Sequence, residues 1–169
     1  MSKIILTAAG GLIFLIILII AVSLIASISF NQKVTKAINK LFAENEVYEE
    51  NIIGESDLEA LPAVVRKWLE YSQVKGKEKI HTVRLKQKAE LRLEQEQPWM
   101  SVEADQYFTT NQPGFIWKAN IKAFPFFHIS GRDKYYNGRG EMLIKPLSLF
   151  TIADSKGEEI DQGTLLRYL

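Results

Sequence analysis

The chain has 169 residues, 47% of them hydrophobic, a formal net charge of +1 and no cysteine. That length holds one membrane helix and one modest domain. The lack of thiols excludes a disulfide framework, a thiol nucleophile, a Cys-ligated metal and a lipidated N-terminal Cys, and the near-neutral balance excludes the basic excess of a nucleic-acid binder.

Ile4 to Phe30 contains no charged residue and is almost wholly Ile, Leu, Ala, Val and Phe. At ~1.5 Å of helical rise per residue it reaches roughly 40 Å, beyond the ~30 Å of a hydrocarbon core. Residues 1–30 therefore read as a transmembrane anchor, far longer than the ~7–15-residue core of a cleaved signal peptide. The alternative is a cleaved leader, with Ser27 and Ser29 as a weak cleavage site before Phe30. Lys3 precedes the run, and Lys33, Lys36 and Lys40 follow it. Those three lysines, taken literally, favour a cytoplasmic domain. A short tail before a lone anchor is also the form of a tethered, exported domain. The expected localisation is a single-pass membrane protein with its domain outside the cytoplasm.

Residues 31–55 read as a juxtamembrane helix and linker. Phe30, Val34, Ile38, Leu41 and Phe42 recur at helical spacing with the three lysines between them. This helix could lie on the bilayer surface or pack on the domain as a stalk. Glu44 to Glu55, around Val47–Tyr48 and Ile52–Ile53, is an acidic linker.

Residues 56–169 read as an α+β domain. Ser56 and Glu59 have capping-box spacing, Pro62 suits a first helical turn, and Leu58, Leu61, Val65, Trp68 and Leu69 form an apolar stripe. From Val83 the period changes to two: Val83, Leu85, Gln87, Ala89, Leu91 and Leu93 alternate with Arg84, Lys86, Lys88, Glu90, Arg92 and Glu94. Further alternating runs cover 102–110, 115–123, 127–136 and 141–153. Asn111–Gly114 and Asn137–Gly138 are turns, the latter a strong type I′ signal, and Asp154–Gly157 turns again. Asp161–Leu169 starts a last helix with Asp161 as its N-cap. The expected fold class is α+β, an N-terminal transmembrane helix followed by a curved antiparallel β-meander. The Leu61–Tyr71 helix is its expected cover.

Four stretches then become familiar: LPAVVRKWLEYSQVKG at 61–76, QPGFIWKA at 112–119, ISGRDKYYNGRGEM at 129–142 and EEIDQGTLLRYL at 158–169. Together they resemble a family of bacterial and archaeal proteins of unknown function, commonly tethered by an N-terminal membrane helix. The match runs from about residue 55 to the end. The resemblance brings no activity with it. It implies that the pattern continues past LLRYL, so the chain reads as incomplete at its C-terminus.

His81 and His128 are the only histidines; lacking metal-ligand spacing, they point to no metal site, and no cofactor is called for. The 75–92 stretch is rich in lysine, and the two readings are a wet strand face and contact with anionic headgroups. Arg132, Asp133, Tyr135 and Arg139 cluster around the Asn137–Gly138 turn, and the neighbouring strand carries Phe115 and Trp117. These six are the candidate ligand-binding residues, and no catalytic residue is assigned. Arg167 is a candidate partner of Asp133 or Asp161. The leading reading is a membrane-tethered, β-rich binding module for an apolar or amphipathic ligand or a partner, with oligomeric state left open. The alternatives are an enzyme using Arg132/Asp133 and Asp161/Arg167, and a purely structural module.

Overall fold

The computed structural model describes residues 2–45 and 52–169, so the linker expected at Val47–Tyr48 lies outside the described residues. Helix α1 runs unbroken from Ser2 to Ala43. Its apolar part is long enough to cross a membrane, with a mean hydropathy of 3.1 in its most apolar window, and the rest of the chain leaves that window almost wholly uncovered.

The second part of α1 is different. Phe30, Val34, Ile38 and Leu41 fall on one helical face, and all four are buried against Ile116, with Tyr107, Tyr136 and Leu143 around it. Lys33, Lys36 and Lys40 stay exposed. This is the stalk arrangement, packed on the domain.

The sheet has six antiparallel strands in sequential order: β1 Thr82–Leu91, β2 Met100–Thr109, β3 Gly114–Phe124, β4 Phe127–Tyr136, β5 Arg139–Pro146 and β6 Ala153–Lys156. It is an open meander, and with the helices it makes an α+β fold. Short connections allow only antiparallel neighbours. Asn137 and Gly138 both have positive φ, 51° and 74°, as a type I′ turn requires. The strand expected over 141–153 is in fact two. Pro146 cannot donate to a ladder, and Leu147 and Ser148 turn the chain through positive φ. The chain then returns as β6 across the residues expected to form the 154–157 turn.

Alternation gives the sheet two faces. Val83, Ala104, Phe108, Phe115, Trp117 and Tyr135 share one; Lys86, Asp105, Ile116, Lys118, Arg132 and Glu141 share the other. Neither is covered by the 61–71 helix. That segment forms α3, Ala63–Tyr71, with no buried residue; Trp68 is 64% exposed. The segment after it is tied back instead: Gly76 N–H donates to Ile53 C=O and Ile53 N–H to Lys77 C=O, both at 2.9 Å. The short helix before it, α2 Glu55–Glu59, begins at Gly54, whose N–H donates to the Asp57 carboxylate at 2.8 Å; this replaces the Ser56/Glu59 box.

The cover on the aromatic face is the last helix, α4, Glu158–Tyr168. The charged face, expected to be wet, is partly covered by α1. The reason is local: Ile116 and Leu143 interrupt the charged pattern and offer α1 an apolar seat.

Candidate functional site

Two concave regions flank α1 where it leaves the sheet. The first is a polar cleft of about 470 Å³ between Ser27, Phe30 and Asn31 of α1 and the charged face. Lys86 and Lys88 of β1, Glu103 and Asp105 of β2, and Lys118 and Asn120 of β3 line it, with His128 and Ser130 of β4. The acids are already engaged: Glu103 by Lys122 at 2.8 Å and Asp105 by Arg84 at 3.2 Å, with Lys118 at 3.9 Å. The Lys122 hydrogen bond, aided by its charge, holds the Glu103 carboxyl below its usual range. Lys86 and Lys88 have no ion pair among the described residues, so the uncommitted charge of the cleft is positive.

The second is an apolar groove of about 1010 Å³ between Ile16, Ile19, Ile20 and Leu24 of α1 and the β3–β4 hairpin tip, Phe124–Pro125–Phe126–Phe127. Asn120 and His128 line both regions, so groove and cleft adjoin. A buried hydroxyl network stands at the junction. Ser130 and Ser148 share a 2.7 Å hydrogen bond, His128 Nε2 lies 3.3 Å from Ser148 Oγ, and Ser23 Oγ donates to the Leu147 carbonyl at 2.9 Å. A serine beside a histidine supplies the nucleophile and base of a catalytic triad, whose third member orients the base. No carboxylate orients His128 among the described residues, and Ser148 is only 3% exposed. The network instead satisfies polar groups where α1 meets the sheet. No sequence motif marks it, because its members lie on α1, β4 and the turn after β5.

The six candidate ligand residues separate. Phe115, Trp117, Asp133 and Tyr135 share the face beneath α4. Phe115 is fully buried and Tyr135 nearly so. Trp117 Nε1 donates to Gln87 at 2.9 Å, and the Arg167 guanidinium lies 4.6 Å above its ring. Arg167 pairs with Asp133. Burial nevertheless raises the Asp133 carboxyl above its usual range, outweighing the opposite pull of Arg167 and Arg132. Arg132 is on the other face, 2.7 Å from Glu141. Arg139 is exposed at the start of β5.

Asp161 is not an N-cap. The cap position is Gly157, and Asp161 accepts a hydrogen bond from Gly140 N–H at 2.6 Å. The Arg132/Asp133 and Asp161/Arg167 groups thus form separate contacts rather than one convergent site. Two of them lock α4 to the sheet. Among the described residues no group of three or more His, Asp or Glu is placed to hold a metal.

The segments around 129–142 and 158–169 therefore meet in space, through Gly140–Asp161 and Asp133–Arg167. No curated protein and no solved structure matches the chain. A family model, described as a family of unknown function (DUF6544), matches residues 51–169, and the chain belongs to that family.

Proposed function

We propose that the protein is a single-pass, membrane-anchored module that holds an amphiphile with an anionic head group, its tail in the apolar groove beside α1 and its head in the adjoining cleft. The observation that carries this is the adjacency itself: an apolar groove at Ile16–Leu24 opens beside a polar cleft at Ser27–Asn31. Seven helical residues rise roughly 10 Å, about the step from acyl chain to head group. Lys86 and Lys88 supply the uncommitted positive charge. Apolar pockets with a few polar groups at one end are the common form of small-molecule sites.

The test is native mass spectrometry of the full-length protein released from lipid nanodiscs containing phosphatidylglycerol. The expected result is one retained phospholipid, lost when Lys86→Glu and Lys88→Glu are combined. Release of a bare protein, or retention unchanged by the double variant, overturns the reading.

The domain lies outside the cytoplasm in this reading, supported by α1 being the single helix long and apolar enough to cross a membrane among the described residues. An alkaline phosphatase fused after Leu169 should be active in cells. An inactive phosphatase with a bright cytoplasmic fluorescent-protein fusion at the same point reverses the orientation.

A further inference from the structure

We infer that the end of the sheet nearest α1's apolar run is itself a membrane-inserting surface, with the β3–β4 hairpin tip entering the hydrocarbon region beside the anchor. The inference rests on the anchor reading above and adds a second point of membrane contact.

Three connections share that end of the sheet. They are the β1–β2 connection after Leu91, the Phe124–Phe127 tip and the β5–β6 connection after Pro146, as the register pairs Leu91 with Met100, Phe124 with Phe127 and Ile129 with Pro146. Leu93, Trp99, Phe124, Phe126, Phe150 and Ile152 project from them, all exposed; Phe126 reaches 92%. The opposite end has turns of another kind, Asn111–Gln112 and Asn137–Gly138. Exposed aromatics gathered at one end of a domain mark an interaction surface.

Helix length identifies the partner. From Lys3 to Ile16, where the hairpin first flanks α1, the helix rises only about 20 Å, short of the ~30 Å hydrocarbon core. If α1 spans the bilayer from Ile4, the core extends to about the level of Ser23. The hairpin flanking Ile16 to Leu24 then lies in its outer ~10 Å. A hairpin tip of Phe-Pro-Phe-Phe suits that depth. Its own N–H and C=O groups are partly served by the Phe124–Phe127 pairing, as a non-helical segment in lipid requires. Trp99, stacked under Arg92 at 4.7 Å, fits the interfacial belt where tryptophan concentrates. Glu94 and Glu96 in the same connection place that loop at head-group level rather than deeper.

The chain has no cysteine, so single cysteines report cleanly. Leu12→Cys, Phe126→Cys and Asn137→Cys are each labelled with an environment-sensitive fluorophore in the full-length protein. The variants are reconstituted in vesicles of phosphatidylcholine and phosphatidylglycerol containing nitroxide-labelled acyl chains. The expected result is strong quenching at positions 12 and 126 and little at 137. Quenching at 12 with position 126 behaving like 137 overturns the hairpin inference while leaving the anchor intact. No quenching at 12 overturns the anchor and the inference together.

Discussion

Asp161 in the first turns of α4 accepts a hydrogen bond from the backbone N–H of Gly140 at 2.6 Å, across the sheet-to-helix boundary. The contact is possible because Gly140 has no side chain: a Cβ there would lie 2.5 Å from the Ile160 carbonyl oxygen. Asp161→Ala should therefore leave a part-buried donor without its acceptor and cost ~1–3 kcal/mol. Gly140→Ala should push α4 off β5 at a similar or greater cost, ~1–3 kcal/mol. Urea midpoints at unchanged slope give both values; midpoints equal to wild type would remove this contact from the stability account.

Asp133 sets a pH dependence. Its carboxyl is raised by burial despite Arg167, so the folded state binds a proton more readily than the unfolded chain. Its contribution is then most favourable below the ordinary carboxylate value and is lost as pH rises from there through the raised one. Compared with Asp133→Asn, the wild type should lose relative stability across that window and vary in parallel above it. Denaturant titrations of both proteins at several pH values test this, and the opposite slope contradicts it.

At the β4–β5 turn, Gly138 has φ of 74°. Gly138→Val forces a β-branched residue into a region it avoids and should destabilise the domain by ~1–3 kcal/mol. Thermal melts are sufficient, since Gly138 has no neighbour within 4 Å that a larger side chain could strike. An unchanged melting temperature would mean the turn relaxes.

The stalk should be part of the folded unit. Val34 and Ile116 are each 1% exposed and belong to one cluster. Ile116→Ala should cost ~2–5 kcal/mol. It should also loosen residues 30–43 of α1, seen as faster amide hydrogen exchange there. Loss of stability with unchanged exchange in that segment would show that α1 and the sheet are not coupled.

The sequence by itself determined the local elements. A charge-free run from Ile4, alternation along 83–94 and 115–123, and the Asn137–Gly138 pair each state their structure within a few residues, because helical and strand periods and positive-φ preferences are short-range properties. It offered Asp133 and Asp161 as candidate partners of Arg167 without choosing between them, and the structure pairs Arg167 with Asp133. Only the tertiary structure decided which element covers which face. The Trp68 stripe looked like a cover, yet α4 takes that place, because Gly140 lets a helix approach closely and Asp161 and Arg167 fasten it. The same holds for the adjoining cleft and groove. Their walls come from α1, β1, β2, β3 and β4, over a hundred residues apart in the chain. The proximity of Lys86 to Asn31, or of Phe126 to Ile16, follows from packing around Ile116 and has no local signal in the residues themselves.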